Sequence, residues 1–230
     1  MRLAVVVPVF NEGGAIESTL ARMHDLRKRG TQLIVVDGGS DDATAALAKP
    51  HADQVLQSSR GRAQQMNAGA KAAIESGGEV LLFLHADSAL PDSADRLIET
   101  ALRTNGRVWG RFDVRIDAEV PMLKVVSAMM NGRSRLTGIC TGDQAIFVTR
   151  RAFEQLAGFA PIALMEDIEF SKRARSLSWP VAISTRVVTS GRRWQRHGIW
   201  RTIVLMWRFR LAYFFGADPQ RLAQRYRDAR

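Results

Sequence analysis

"EVLLFLHADS", Glu79–Ser88, is the stretch on which the reading turns. Val80–Leu84 is an unbroken apolar run, as a strand covered by helices on both faces of a parallel sheet requires. The run stops at His85, and Asp87 and Ser88 open a loop that continues "ALPD". Ligands of an open α/β sheet lie beyond the carboxyl ends of its strands. An acidic strand end there suits a metal or a phosphate. The usual form of such an end has two aspartates flanking one residue, and here His85 occupies the first of those positions.

The preceding residues repeat the same unit. "LAVVVPVF" (3–10) is another apolar run, and a helix is expected from about Ala15 to Gly30, where glycine suits the stop. "TQLIVVDGG" (31–39) reads as a second strand, and "SDDATAALAKP" opens with capping residues and ends at Pro50. "DQVLQSS" is a short third strand, "GRAQQMNAGAKAAIESGG" a helix between glycines, and "PDSADRLIETALRTNG" a helix with proline near its start. Strands and helices alternating at this spacing predict an α/β fold with a mostly parallel, doubly wound central sheet and helices on both faces.

After Gly106 the pattern changes. "VWGRFDVRID" alternates as a strand does, and "PMLKVVSAMMNGRSRL" reads as a Met-rich helix. "GDQAIFVTRRAFEQLAGF" reads as strand then helix, "MEDIEFSKRARSLS" as a helix acidic first and basic last, and "VAISTRVVTS" as a strand. With no repeat and no linker, one domain is expected: residues 1–197, divided into a nucleotide half (1–105) and an acceptor half (106–197). A basic, amphipathic helical tail (198–230) follows.

The 230 residues carry a formal net charge of +10 and one cysteine, Cys140. A lone cysteine makes no internal disulfide, so nothing asks for an oxidising compartment, and a cytoplasmic setting is expected. The first apolar run is too short for a signal peptide or a membrane span and reads as a buried strand. The excess charge favours anionic partners, and arginines crowd from Arg186 onward. "GIWRTIVLMWRFRLAYFFG" (198–216) is nearly long enough to cross a bilayer, but its central arginines make that costly. Two readings stand: a helix lying on an anionic membrane surface, at the inner face as a peripheral protein, or a helix packed beneath the catalytic part or in a homodimer interface.

Four strand ends fall in register: "PVFNEGG", "VDGGSDD", "SSRGR" and "HADS". Each alone is ordinary turn chemistry; together they describe one rim. Neither GxGxxG after the first strand nor GxxxxGK[ST] occurs, which disfavours a dinucleotide site and a P-loop.

The blocks "VVVPVFNEGGAIESTL", "VVDGGSDDAT", the DxD-like "HADS" and "EDIEFSKR", in this order, resemble glycosyltransferase family 2, whose fold is GT-A. "GRAQQMNAGA", "GDQAIF", "MEDIE" and "SGRRWQRHG" further resemble the subgroup labelled rSAM/selenodomain-associated or arsenosugar-biosynthesis transferases. The likeness covers the whole chain and implies a hexosyltransferase working with inversion. The donor would be a UDP- or GDP-linked sugar. The acceptor would be a small molecule or a lipid phosphate, and a Mg2+ or Mn2+ ion would assist.

The resemblance also implies residue roles. Pro8, Phe10, Asn11 and Glu12 would line the nucleotide pocket, Asp37 would meet the base, and Ser40 and Asp42 would close its loop. Arg60 and Arg62 would counter the diphosphate, while Asn67 and Gly69 shape the pocket. Asp87 would hold the metal beside Ala86. Neutral His85 would replace the first aspartate as acceptor or nitrogen ligand. Asp167 would be the general base with Glu166 beside it, the two raising one another's pKa together with Glu169. Lys172 and Arg173 would orient the acids or touch phosphate. Arg193 and Trp194 would reach the phosphates or the sugar, and His197 the metal; "TGDQ" (141–144) would face the acceptor. Each site also has a bland reading: helix caps for Ser40, Asp42 and Asp87, a favourable first turn for the acids, packing for Trp194. A nucleotidyltransferase shares such a rim, but its basic glycine-rich loop is missing from "FNEGGAIE". A membrane-surface binder without catalysis leaves the strand ends unexplained. Nucleic acid is not expected as a partner.

Overall fold

The computed structural model describes residues 1–228, without the side chains of Arg193, Arg196, His197, Arg227 and Asp228. Its centre is a sheet in the order β3-β2-β1-β4-β7-β6-β8-β5. The strands are β1 (Leu3–Val9), β2 (Gln32–Asp37), β3 (Gln54–Gln57), β4 (Val80–Phe83), β5 (Ser88–Ala89), β6 (Trp109–Asp117), β7 (Phe147–Thr149) and β8 (Val181–Ser190). β1, β2, β3 and β4 pair in parallel, as their continuous apolar runs predict. The other strands break that rule in part: β7 lies antiparallel to both β4 and β6, and β5 antiparallel to β8, while β6 and β8 pair in parallel.

Strand alternation divides the core between the two faces. Leu3, Val5, Val7 and Val9 point into one cluster with Ile16, Leu20, Met23, Leu26, Ala94 and Ile98. These come from α1 (Ile16–Ala21), α2 (His24–Lys28) and α5 (Ala94–Asn105). Ala4 and Val6 point into the other cluster, with Met66, Ala70, Phe153 and Phe170. Those belong to α4 (Arg62–Glu75), α7 (Arg150–Gln155) and α8 (Glu166–Ala174). The helix expected over 15–30 is two pieces. Leu20, Met23 and Leu26 are all buried at a spacing of three, and Met23 N–H bonds the Leu20 carbonyl, so the chain tightens there and α2 starts anew. The fourth strand is also shorter than expected. It ends at Phe83, and His85–Asp87 is a crossing that carries Ser88 and Ala89 to the far edge of the sheet.

β6 meets β7 only through Trp109 and Gly110, which leaves its later edge open. Helix α6 (Pro121–Thr137) closes it with side chains. Asn131 donates to the Val114 carbonyl and accepts the Val114 N–H, both at 2.9 Å, and Ser127 Oγ accepts the Ile116 N–H. This satisfies edge groups that would otherwise recruit another chain. Beneath them Arg111, fully buried, pairs with Asp113, which Arg135 also reaches at 2.7 Å.

Helix α3 (Thr44–Ala48) follows β2, α9 (Arg192–His197) follows β8, and α10 (Ile199–Phe214) and α11 (Pro219–Asp228) complete the chain. Phe209 and Leu222 pack on Met165 and Ile168, so the tail leans on the helix that carries the acids. Ile199 and Ile203 pack with Trp194 against Leu123 and Val126 of α6. The opposite side of α10 is bare: Trp200, Val204, Trp207, Leu211 and Phe214 recur at helical spacing, from 54% exposed at Val204 to 73% at Phe214. No helix among the described residues is long and apolar enough to cross a membrane.

Close approach of α4 to the sheet depends on Gly69. A Cβ there would stand 2.4 Å from Val6 Cγ1 and 2.9 Å from Val36 Cγ2, whereas one at Gly132 of α6 would meet nothing within 4 Å. Gly69→Ala is expected to lose about 1–2 kcal/mol, overpacking outweighing helix propensity. Gly132→Ala is expected to gain about 0.5–1 kcal/mol. Denaturant unfolding of the two variants checks both signs.

Candidate functional site

In the strand order, β2 and β3 lie to one side of β1 and β4 to the other. The sheet therefore reverses its winding between β1 and β4, and the crevice beyond their carboxyl ends is where an open α/β sheet takes a ligand. Phe10–Gly13 and His85–Asp87 border it.

The β1 loop is stapled to the β2 loop. Asn11, at φ 54°, donates its N–H to Ser40 Oγ (2.9 Å) and accepts the Asp41 N–H on Oδ1 (3.1 Å). Glu12 N–H donates to Thr44 Oγ1, and Gly13 N–H to Asp42 Oδ2 at 3.0 Å. Thr44 donates to Asp42 through both its hydroxyl and its N–H, and these bonds hold the Asp42 carboxyl below its ordinary pKa. Asp37 is buried, its oxygens accepting the Ser40 N–H and hydroxyl, so in this structure it shapes the loop. Behind them, buried Gln65 donates to the Val9 and Val36 carbonyls at 2.7 and 2.9 Å, fastening the two strand ends together. Sequence reasoning missed Gln65; its place one turn into the helix after "SSRGR" was the available signal. Pro8 and Phe10 are half-buried, and the exposed Arg60 guanidinium stacks 3.9 Å above the Phe10 ring.

The His85 loop is held on every side. Thr19 Oγ1 donates to the Ala86 carbonyl at 2.8 Å, Ser190 N–H to the Asp87 carbonyl, and Ser88 N–H to the His85 carbonyl. Asp87 itself is exposed at the crevice. The histidine is turned elsewhere. Its Nδ1 lies 3.2 Å from Asp143 Oδ1, so Nδ1 carries a proton and donates, and Nε2 is pressed on Gly142, where a Cβ would come within 2.3 Å of it. Both ring nitrogens face the 3₁₀ turn Gly142–Gln144. In this structure His85 holds that turn.

That turn reaches the acids in its next bond. Gly142 N–H donates to Asp167 Oδ2 at 2.8 Å, and Asp167 Oδ1 accepts the Ile168 N–H at 2.7 Å. Glu166 and Asp167 open α8 directly after Met165, a non-glycine residue at φ 69°. Glu166 is buried, and burial followed by the neighbouring Asp167 charge raises its pKa, with Arg62 opposing. Asp167 remains half-exposed to the cleft. Arg62, first in α4, connects the halves. Its side chain is exposed to solvent; desolvation of the guanidinium opposes its charge, yet the carboxylates of Glu166, Asp143, Asp167 and Asp87 together hold its pKa above the ordinary value.

Other expected residues are brought elsewhere. Asn67 is bonded in both directions to the Phe159 backbone, at 2.8 and 2.9 Å, so it ties the loop after α7. Arg173 is committed to Glu169 and to the Leu156 and Gly158 carbonyls, which takes it away from a phosphate. Lys172 sits 4.9 Å over the Tyr213 ring of α10, and Trp194 packs in the α6–α10 seam. The Arg193 and His197 side chains lie outside the described residues. No group of three His, Cys, Asp or Glu side chains suited to a metal occurs among those that are described.

Structures already solved share this architecture. The chain aligns with TarS 1–349 of S. aureus in complex with UDP-GlcNAc at TM-score 0.66 and 17% identity, covering 83% of this chain and 58% of that one. It aligns with the mannosyltransferase PcManGT of Pyrobaculum calidifontis, in complex with GDP-Man and Mn2+, at TM-score 0.61 and 20% identity, covering 81% and 56%. Among curated sequences it is 24% identical to the probable glycosyltransferase YdaM of Bacillus subtilis (strain 168), over 82% of this chain and 50% of that protein. The chain thus spans between half and about three-fifths of the length of these relatives. Residues 4–155 match the Glycosyl transferase family 2 profile, and with the GT-A-like sheet and the strand-end rim in place, the chain belongs to that family.

Proposed function

We propose that the chain transfers a sugar from a UDP- or GDP-linked donor to an acceptor hydroxyl with inversion at C1. The observation that carries this is the gathering of Asp87, Asp143, Glu166 and Asp167 around Arg62, beside the crevice between β1 and β4. The nucleotide would enter between Phe10–Glu12 and the Asp37–Asp42 loop. Its diphosphate would lie toward Asp87, with Arg60 and Arg62 at hand. The matched relatives bind UDP-GlcNAc and GDP-Man, which supports a nucleotide-sugar donor of one of these two kinds.

Asp87 fits a hard divalent ion, Mg2+ or Mn2+, because such ions are held by one or two carboxylates, water and substrate phosphates rather than by a full protein cage. Mn2+ in the mannosyltransferase relative points the same way. When bound, the ion would neutralise charge on the departing nucleoside diphosphate.

Asp167 is the general base in this reading. Its carboxylate is fixed by Gly142 and Ile168 N–H groups and faces the cleft, so an acceptor hydroxyl can reach it. Glu166, buried, with the Arg62 charge acting against its raised pKa, would keep the neighbouring charge balanced as the proton moves. The catalytic unit would span residues 1–197, and residues 198–230 would form the basic tail. The subgroup likeness in "GRAQQMNAGA" and "SGRRWQRHG" adds no chemistry of its own.

The bare side of α10 favours an anionic lipid surface as the place of work. The apolar stripe is flanked by exposed Arg201 and Arg208. On α6, Val125, Met129 and Leu136 are exposed beside the seam, with Lys124 outside them. Neither helix contains an aspartate or glutamate. A second copy on this face would set cation against cation, whereas anionic headgroups would meet every charge.

Three outcomes test the reading. In a donor screen read by nucleoside diphosphate release, Asp167→Asn is expected to lose at least about 10²-fold in turnover with UDP or GDP affinity kept; unchanged turnover removes the base. Glu166 holds its proton more tightly in the folded state, so its ionisation costs stability as pH rises above the usual glutamate range, about 4.3. Glu166→Gln should therefore gain in melting temperature over the native chain progressively from about pH 4.5 to 7.5, and a constant difference overturns the assignment. Sedimentation with phosphatidylglycerol vesicles should carry the chain down and phosphatidylcholine vesicles should not. Trp207→Glu with Leu211→Glu should cut that binding at least about tenfold, and equal binding to both vesicle types sinks the lipid surface.

A further inference from the structure

Two arginines with no part in the steps above lie behind the acids. Arg133 comes from α6 and Arg210 from α10, and both are half-buried. Arg133 Nη1 donates to the Ile139 carbonyl at 3.3 Å. Nη2 of Arg133 and Nη2 of Arg210, however, are shut off from solvent with no hydrogen-bond partner among the described residues. Burial, and next the Arg210 charge, push the Arg133 pKa down to about 10. Burial lowers Arg210 too, with Asp167 and Asp143 opposing. Neither Asp167 nor Asp143 lies within hydrogen-bond reach of these two nitrogens. Two cations held near each other out of water, each with an unmet donor, disfavour the fold until an anion joins them.

We propose that Arg133 and Arg210 form a subsite for a phosphate-class oxyanion on the acceptor, next to Asp167. This rests on the transfer reading and names the acceptor class within it. Two guanidinium charges match a phosphate monoester, which carries about −1.5 to −2 at neutral pH, better than a single carboxylate would. In this proposal the subsite stands apart from the donor diphosphate, and titration with UDP and GDP distinguishes the two. An acceptor gripped there by its phosphate would present a nearby hydroxyl to Asp167, on the side opposite the donor.

The probe is inorganic phosphate, titrated by calorimetry and thermal shift into the full chain and into Arg133→Gln, Arg210→Gln and Arg210→Lys. Phosphate should raise the melting temperature of the native chain. Each Gln variant should bind it at least about tenfold more weakly, and Arg210→Lys should keep part of the affinity. Without phosphate the Gln variants should be as stable as the native chain or more so, because one of two crowded cations is gone. A purely structural pair predicts the reverse, lost stability with phosphate affinity intact, and that result overturns the subsite.

Glycerol 1-phosphate in solution and phosphatidic acid in phosphatidylcholine vesicles serve as competing arms. Competition lost in the Gln variants supports the subsite, and the arm that shows it identifies a soluble metabolite or a lipid as the source. No stabilisation of the native chain by phosphate overturns it. UDP and GDP are titrated into the same proteins. Nucleotide affinity kept while phosphate affinity falls supports two sites; both falling in step merges the pair with the diphosphate site and overturns it. Failure of the native chain to bind either nucleotide removes the transfer reading alone and leaves the phosphate result legible.

Discussion

The Gly142–Gln144 turn is gripped from two sides, by His85 through Asp143 and by Asp167 through the Gly142 N–H. The strand ends that border the crevice and the helix that carries the acids come from distant parts of the chain, and no strand pairing links them. This short turn does. Gln144, fully buried, fastens it from below by donating to Ser134 Oγ and accepting the Thr141 N–H. The residue after it, Ala145, sits at φ 47°, a conformation an L-residue keeps only when its surroundings fix it. Asn11 and Met165 are in the same region of backbone space, so three of the non-glycine residues with positive φ flank the site. Strain placed this way positions acids to within a hydrogen bond, at a cost the surrounding core offsets.

Charge is arranged in layers. Carboxylates gather at the crevice around Arg62; arginines from α6 and α10 stand behind them; exposed cations and an apolar stripe cover the outside. A cluster of acids needs cations beside it, and Arg62 shows the balance in one residue. Its charge is disfavoured by desolvation yet held by four carboxylates. The excess of +10 is therefore not spread for solubility. It is drawn to the tail, where residues 186–230 hold eleven arginines and two aspartates.

Much of this was written locally in the chain. The apolar runs of β1, β2 and β4 need no partner to be recognised, and their polar ends fall at one edge because parallel strands share a direction. The acids of "MEDIE" open a helix and Asp87 stands exposed after the fourth strand, as their positions in the sequence imply. What was not legible depended on distant partners. His85 looks like half a ligand motif until Asp143, 58 residues away, is placed beside it. Asn67 looks like pocket lining until Phe159 arrives from 92 residues away to occupy both ends of its amide. Arg173 is the exception, since Glu169 four residues earlier on the same helix already offered it a partner. The antiparallel β7 was also hidden, because three residues carry too short a pattern to state a direction.

The tail joins these layers mechanically. Phe209 and Leu222 pack on Met165 and Ile168, which flank Glu166 and Asp167, and the Tyr213 ring lies under Lys172 of the same helix. Whatever meets the outer side of α10 therefore acts, through one layer of side chains, on the helix that carries Glu166 and Asp167. The inner side of α10 brings Arg210 toward Asp167, and α6 brings Arg133 from across the seam. An acceptor approaching from a lipid surface would pass between the two helices before reaching a carboxylate, and its charged group would meet the arginines first. That order matters chemically. A phosphate held before the hydroxyl arrives converts a bimolecular encounter at Asp167 into an intramolecular one, which is the larger part of what positioning contributes to such a transfer.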